Sequence, residues 1–181
     1  MKTDAARQAR CIVAEPLTSQ AFAEFGEVVE HAGNERRRHL ALPYAHSAPA
    51  ARTAIWVSRV ESAIPQPCPV LLLERHPYSS QTFIPLDNTS YLVVVAPDDA
   101  QGEPDLERLR AFVASGSQGV CYRTGVWHQG LSALRAPAQF AVTMTLTGAG
   151  DDDVFWKMPD SVSIAIDCTL PASRPRSDPA T

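Results

Sequence analysis

The chain has 181 residues, of which 45% are hydrophobic and 20% are charged, and its formal net charge is −4. This length is enough for one domain with a substantial core, and the composition is close to that of soluble globular proteins. Because acidic and basic residues are interspersed, no basic surface is available for nucleic acid. The longest apolar runs are far shorter than the roughly 20 residues that a membrane span requires. We therefore expect no binding to nucleic acid or to membranes.

A single domain is predicted over residues 11–170, with flexible tails at 1–10 and 171–181. The first tail is polar and lacks the apolar segment of a secretory signal, so a cytoplasmic protein is expected. The second tail contains three prolines and no large apolar side chain, too little to offset its ordering entropy. Four widely spaced cysteines are expected to be buried as small hydrophobic side chains rather than paired; they are Cys11, Cys68, Cys121 and Cys168.

The first predicted element is a short helix within residues 16–30. Thr18 or Ser19 can cap its amino end, Phe22 and Phe25 share one face, and Gly26 ends it. A loop rich in Arg, His, Gly and Pro follows from residue 31 to 47, with one strand expected near His39.

Seven short β-like runs follow, separated by Pro, Gly, Asn or Asp, a pattern typical of all-β barrels and sandwiches. Alternating Val162, Ile164 and Ile166 indicate that the last run is half-buried. A helix is predicted over 104–115, because apolar side chains there recur at helical spacing. The fold class is thus all-β with one or two short helices, and the predicted strands are 53–60, 70–76, 81–85, 91–96, 119–122, 139–146 and 161–170.

A candidate site follows from strand geometry. Glu74 and His76 are two residues apart and share one face of their predicted strand, and a turn over 77–80 can bring Gln81 back opposite them. The spacing E-x-H-x4-Q matches the first metal motif of cupins with two ligands exchanged, and His128 in GVWHQGL matches the single histidine of the second. Each residue alone is more often a solvated or packed side chain, but together they predict a shared ligand site. Such ligands suit a divalent metal, whose presence the sequence leaves open.

Three segments also resemble the ureidoglycolate lyase family. They are LERHPYSSQTFIPL, YLVVVAPDD and PDLERLRAFVASGSQGVCYRTGVWHQGL, within a match from residue 55 to 131. The resemblance implies a cupin-like (RmlC-like jelly-roll) barrel, a homodimer, and cleavage of ureidoglycolate to glyoxylate and urea in purine breakdown through allantoin. It also implies a divalent metal, nickel, with manganese or zinc as alternatives. Four positions match the family's motif residues, and these are Glu74, His76, Gln81 and His128.

The resemblance extends to candidate residues for binding and proton transfer. His39 and Arg59 fall where the family has an Arg-Tyr-His-Asp element and an arginine. His39 is the first candidate base, because histidine titrates near neutral pH, and Glu74 is the alternative if it does not bind metal. By their chemistry rather than by the resemblance, Arg38, Arg59 and Arg123 are candidates for pairing with a substrate carboxylate, and Gln81 is a further candidate for binding substrate.

The chain also departs from the family pattern. Arg123 and Gln129 stand where family members have histidines. Two alternatives therefore stay open, a cupin enzyme acting on another small hydroxy acid and a cupin that binds a carboxylate without catalysis.

Overall fold

The computed structural model describes residues 8–31 and 33–169. Residues 1–7 and 170–181, which include most of the two predicted tails, lie outside the described residues. Strand β1 begins at Gln8, before the predicted start of the domain at Cys11. One short helix, α1 (Ser19–Phe22), accompanies the strands, which are β1 (Gln8–Val13), β2 (Glu15–Pro16), β3 (Gly26–Val29), β4 (Arg52–Val60), β5 (Cys68–Pro69), β6 (Leu72–Arg75), β7 (Gln81–Pro85), β8 (Asn88–Ala96), β9 (Arg110–Gly116), β10 (Gly119–Tyr122), β11 (Trp127–His128), β12 (Ser132–Ala133), β13 (Ala138–Leu146), β14 (Val154–Lys157) and β15 (Val162–Asp167).

The strands form three sheets. The three-stranded sheet has the order β1-β15-β5, and the five-stranded sheet has the order β3-β10-β7-β13-β4. The seven-stranded sheet has the order β14-β6-β11-β8-β9-β2, and its seventh strand, β12, pairs with β8. Most pairings are antiparallel, while β1 with β15 and β2 with β9 are parallel.

Two cores lie between these sheets. Val93 and Val95 of β8 belong to a core shared with the five-stranded sheet, whereas Leu92 and Val94 belong to a second core shared with the three-stranded sheet. Since successive side chains of a strand point to opposite faces, β8 is buried on both sides. Two sheets packed face to face across a core are the arrangement of jelly rolls such as cupins. The predicted all-β, cupin-like fold class is confirmed.

The predicted helix over 104–115 is wrong. Only a 3-10 turn, Leu106–Arg108, is present there, and strand β9 follows it. Phe112 of β9 packs in the first core and Ala111 in the second. A strand buried on both faces has consecutive apolar residues, which can imitate helical spacing.

The amino-terminal helix is confirmed in a shorter form. Thr18 is its N-cap, and its hydroxyl accepts a hydrogen bond from the backbone N–H of Ala21 at 3.2 Å. Phe22 and Phe25 are both buried. Gly26 does not simply end the helix but opens β3, where a Cβ would collide with the carbonyl of Cys121.

Each of the seven predicted strands overlaps an observed strand. The other eight strands were not predicted, and they are β1, β2, β3, β5, β9, β11, β12 and β14. The expected strand near His39 is absent from the described residues 33–45, and His46 makes only an isolated bridge with Ser79. In the part of the chain that is described, no helix is long and apolar enough to cross a membrane.

The cysteines are unpaired, as predicted, but they are not all buried. Cys68 and Cys121 are buried, Cys168 is half-buried, and Cys11 is exposed. Cys11 lies on β1, an edge strand of the three-stranded sheet. Because side chains alternate along the strand, Ile12 packs against the second core and Cys11 points to the other face.

Candidate active site

Three strands and one turn bring the predicted ligands together. Glu74 on β6 is directly opposite His128 on β11 in an antiparallel register. His76 follows the end of β6, and Gln81 is the first residue of β7 after the turn. The side chains of His76, Gln81 and His128 are buried, while that of Glu74 is 21% exposed.

The polar atoms of these side chains converge. Oε1 of Glu74 is 3.5 Å from Nε2 of His128, and Oε1 of Gln81 is 3.2 Å from the same nitrogen. The Gln81 amide is oriented by its Nε2, which donates to the sulfur of Met144 at 3.7 Å. One ligand atom each from Glu74, His76 and His128 lie within 4.8 Å of one another. This spacing suits a single metal ion.

The hydrogen bonds of His128 fix which ring nitrogen faces the site. Its Nδ1 is 2.9 Å from the carbonyl oxygen of Val126, and since a carbonyl can only accept, Nδ1 carries a proton. The Nε2 lone pair of the neutral ring then faces the oxygens of Glu74 and Gln81. These three atoms all present lone pairs to one another. A proton on Nε2, or a metal cation between Nε2 of His128, Oε1 of Glu74 and Oε1 of Gln81, would give each of them a favourable partner.

His76 is held in the same tautomer. Its Nδ1 is 2.8 Å from Oδ1 of Asp153 and 3.2 Å from the carbonyl oxygen of Asp152, so Nδ1 is the donor. Its Nε2 is buried without a hydrogen-bond partner among the described residues. An unpaired buried nitrogen costs free energy, and a metal would relieve that cost.

The donor set therefore fits a metal. A histidine that ligates a metal usually donates its other ring N–H to a carboxylate or a backbone carbonyl, and His76 and His128 do so here. Nitrogen and carboxylate ligands suit zinc, nickel and related divalent ions. Glu74, His76 and His128 are the residues that could hold the ion, with Gln81 beside them.

Electrostatics keep the ligands in their binding forms. Burial, together with the charge of His128, lowers the pKa of His76 against the opposing effects of Glu74 and Asp153. Burial alone would raise the pKa of Glu74, but its hydrogen bond and charge interaction with His128, and the charge of His76, outweigh burial and lower that pKa. The neutral imidazole of His76 and the ionised carboxylate of Glu74, both required for metal binding, are thus favoured.

A cavity of about 380 Å³ lies beside the candidate metal centre, and we call it the first cavity. Glu74, His76 and Gln81 lie in its wall. Sequence reasoning missed its other polar and aromatic residues, which lie on β4, on β7 and on the loop after β13: Trp56, Ser58, Phe83, Asp152 and Asp153. The run of three aspartates in GAGDDDVF was a signal for the loop, whereas nothing in the sequence singled out Trp56 or Ser58.

Arg38 and His39 are not brought to the first cavity. Arg38 donates to the carbonyl oxygens of Val28 and Glu30 at 3.1 and 2.7 Å and thereby ties the loop to β3. His39 is exposed and does not line the cavity.

Arg59 and Arg123 also lie elsewhere. Arg59 is exposed and pairs with Glu61 at 2.7 Å. Since Ser58 lines the first cavity, strand alternation turns Arg59 outward. Arg123 donates to the carbonyl oxygen of Ala23 at 3.1 Å. Among the described residues, none that lines the first cavity is an arginine or a lysine.

Gln129, the second departure from the family pattern, lines a different cavity of about 420 Å³ that we call the second cavity. The two cavities share Glu74 and Leu131. Neither Arg123 nor Gln129 therefore contributes to the wall of the first cavity.

Fold and site together define an all-β protein whose barrel-like core opens on a candidate metal centre of two histidines and one carboxylate. The chain belongs to the ureidoglycolate lyase family, because the family model described as Ureidoglycolate lyase matches residues 9–164. The family indicated by the sequence segments is confirmed.

Individual relatives agree with this assignment. The ureidoglycolate lyase of Azotobacter vinelandii is 39% identical over 150 residues, which cover 78% of this chain and 88% of that protein. The ureidoglycolate lyase of Brucella anthropi is 41% identical over 151 residues, which cover 78% of this chain and 85% of that protein.

Among solved structures, the epimerase RmlC from Legionella pneumophila is similar at 15% identity and a TM-score of 0.42, over 68% of this chain and 66% of that chain.

Proposed function

We propose that the protein is a ureidoglycolate lyase that splits ureidoglycolate into glyoxylate and urea in the breakdown of allantoin. The observation that carries this proposal is the buried Nε2 of His76, which has no hydrogen-bond partner among the described residues and lies beside Glu74 and His128. His76 and Glu74 are in the wall of the first cavity. Membership of the family and the names of its relatives indicate the substrate.

We further propose that His76, His128 and Glu74 hold a divalent metal, with Gln81 as a fourth ligand. Nickel is the first candidate, and manganese and zinc are the alternatives. When bound, such an ion supplies Lewis-acid stabilisation of negative charge that develops on oxygen. It would also provide the positive charge that the described wall of the first cavity lacks.

The reaction requires one proton to move within the substrate. Ureidoglycolate carries a hydroxyl and a ureido nitrogen on one carbon. Loss of the hydroxyl proton forms the carbonyl of glyoxylate while the carbon–nitrogen bond breaks, and the nitrogen leaves as urea after it gains a proton. No water is consumed.

Of the two candidate bases, Glu74 is the stronger in the case that its carboxylate is not a ligand of the metal, the ion then being held by His76, His128 and Gln81. The carboxylate of Glu74 lies in the wall of the first cavity. Burial raises its pKa, but contact with His128 outweighs burial and lowers the pKa overall, so that the carboxylate is ionised. His39, in contrast, is exposed and lies outside the cavity. Because the hydroxyl and the ureido nitrogen are bonded to the same carbon, one carboxyl group can accept the proton and return it. Ser58 and Gln81 provide hydrogen-bonding groups in the wall, and Trp56 and Met144 provide apolar surface.

The direct test is release of urea and glyoxylate from ureidoglycolate by the purified protein, loaded with nickel, manganese or zinc in turn. His76→Ala should abolish release, while His39→Ala is a matched control that should retain it. Wild-type protein that releases neither product above the spontaneous rate contradicts the proposal. Binding of glyoxylate without turnover would instead favour a non-catalytic carboxylate-binding protein, and turnover of a different hydroxy acid would favour another cupin enzyme.

We propose that the protein forms a homodimer through β4. This strand is at the edge of its sheet, and Ile55 and Val57 on its outer face are 71% and 59% exposed. An edge strand with exposed apolar side chains is a surface that favours pairing with another chain. Sedimentation should give a dimer for the wild type and a monomer for Val57→Lys, while Leu86→Lys, also at an exposed apolar residue, should stay dimeric.

We also propose that the protein acts in the cytoplasm. The four cysteines are free, as is usual in a reducing compartment. Fractionation of cells that express the full chain would test this assignment, and recovery outside the cytoplasmic fraction would contradict it.

A further inference from the structure

Asp153 approaches the metal centre from an element far away in sequence. It precedes β14, which pairs with β6 so that Val154 is opposite Arg75 and Phe155 is opposite Glu74. The same antiparallel register continued by one residue brings Asp153 opposite His76. The contact between the Asp153 carboxylate and Nδ1 of His76, at 2.8 Å, is therefore a consequence of strand pairing.

The loop that carries Asp153 is held by its own hydrogen bonds. The backbone N–H of Thr147 donates to Oδ1 of Asp152 at 2.6 Å, and the Thr147 hydroxyl donates to carboxylate oxygens of Asp151 and Asp152. The carboxylates of Asp151 and Asp152 therefore accept hydrogen bonds within the loop itself. The third aspartate is the one whose carboxylate is directed at His76.

The two histidines of the site differ in the acceptor behind them. Nδ1 of His128 donates to the neutral carbonyl of Val126 at 2.9 Å. Nδ1 of His76 faces the Asp153 carboxylate at 2.8 Å, in addition to the more distant carbonyl of Asp152 at 3.2 Å. A hydrogen bond to a charged acceptor is about twice as strong as one between neutral groups. A carboxylate behind the ring also raises the electron density on the opposite nitrogen.

We propose that Asp153 is a positioning residue for the candidate metal centre: its carboxylate keeps the proton of His76 on Nδ1, so that Nε2 is directed into the first cavity as a ligand. This inference rests on the metal site of the proposed function. This role does not depend on contact between Asp153 and the substrate or the ion. It acts through the tautomer and orientation of His76.

Two readouts test this role, and the first needs no metal. In metal-free protein labelled with nitrogen-15 histidine, long-range proton–nitrogen spectra distinguish a ring protonated on Nδ1 from one protonated on Nε2. We expect wild-type His76 to be protonated on Nδ1, and Asp153→Ala to shift a measurable fraction of it to the Nε2 form. Asp151→Asn alters the same loop without touching His76, and it should leave the wild-type signal unchanged.

The second readout is metal affinity, measured by competition with a chelator for nickel and for zinc. Loss of such an outer-shell partner typically weakens metal affinity by about 10- to 100-fold, and this loss is expected for Asp153→Ala but not for Asp151→Asn. Asp153→Glu keeps the carboxylate and should recover part of the affinity.

The outcomes separate this proposal from the proposed function. If Asp153→Ala folds and keeps both the wild-type His76 signal and the wild-type metal affinity, Asp153 has no positioning role. An equal loss of affinity in Asp151→Asn would attribute the effect to the loop as a whole and would also overturn the proposal. If wild-type protein binds no metal, the metal site fails, while the tautomer of His76 in Asp153→Ala still decides the role of Asp153.

Discussion

Two cavities meet at Glu74, and they differ in chemistry more than in size. The first cavity, about 380 Å³, contains His76 with an unpaired buried nitrogen and a carboxylate on either side. The second cavity, about 420 Å³, is slightly larger and is lined mainly by apolar side chains. Volume alone would therefore not select the cavity that contains the candidate metal centre.

The polar groups of the second cavity mostly satisfy one another. Nε2 of Gln129 donates to the hydroxyl of Ser132 at 2.7 Å and, more weakly, to the sulfur of Cys68 at 3.8 Å. Oε1 of Gln129 is buried and has no hydrogen-bond partner within residues 8–31 and 33–169, but it is a single neutral acceptor. Burial raises the pKa of Cys68, so that its thiol stays protonated and weakly nucleophilic. Convergence of ionisable groups, not volume, distinguishes the first cavity.

Glu74 belongs to both cavities, so its replacement should have the largest effect. Glu74→Gln removes the carboxylate that we propose as the base, and loss of one proton-transfer group typically lowers turnover by about 10²- to 10⁴-fold. Rates of urea release, with metal content measured in parallel, check this expectation. Glu61→Gln makes the same chemical change at the surface beside Arg59 and should leave the rate unchanged. A Glu74→Gln enzyme with the wild-type rate and metal content would remove Glu74 from the mechanism.

A bulky side chain placed in each cavity in turn should separate them further. Ser58→Trp narrows the first cavity, and since small displacements of a substrate can cost about 10²-fold in rate, we expect a loss of that order in kcat/KM. Leu71→Trp narrows the second cavity from a side chain that is already 65% exposed, and it should retain the wild-type value. Thermal unfolding of both variants controls for misfolding. Equal losses in the two variants would mean that the substrate also occupies the second cavity.

The convergence of Glu74, His76 and Gln81 could be predicted because it depends on short-range geometry. Side chains two apart on a strand share a face, and one turn returns the chain to Gln81. His128 was placed by its resemblance to a motif, and the structure puts it opposite Glu74.

The remaining wall of the first cavity depends on pairings that are distant in sequence. Asp152 and Asp153 reach His76 only through the register of β14 with β6. The inward face of β4 is set by its pairing with β13, where Ser58 is opposite Phe140 of the first core. That register, which the sequence does not specify, turns Arg59 outward.

The helix predicted over 104–115 was wrong for a related reason. Leu109, Ala111 and Val113 pack in the second core, while Phe112 and Ala114 pack in the first. Periodicity assumes one buried face, and a strand between two cores has two. The three-stranded sheet that creates the second core includes β1, which was not predicted.

The smallest effect is expected at Gln129, where the chain departs from the family pattern. Gln129→His restores the family residue but acts in the second cavity, so kcat/KM for ureidoglycolate should stay near the wild-type value. The exchange can disrupt one hydrogen bond to Ser132, and the free energy of unfolding should then fall by about 1 kcal/mol. Arg123→His restores the other family residue at an exposed position and should change neither quantity. A large gain in kcat/KM from Gln129→His alone would show that the second cavity influences substrate choice, and the two cavities would then have to be treated as one site.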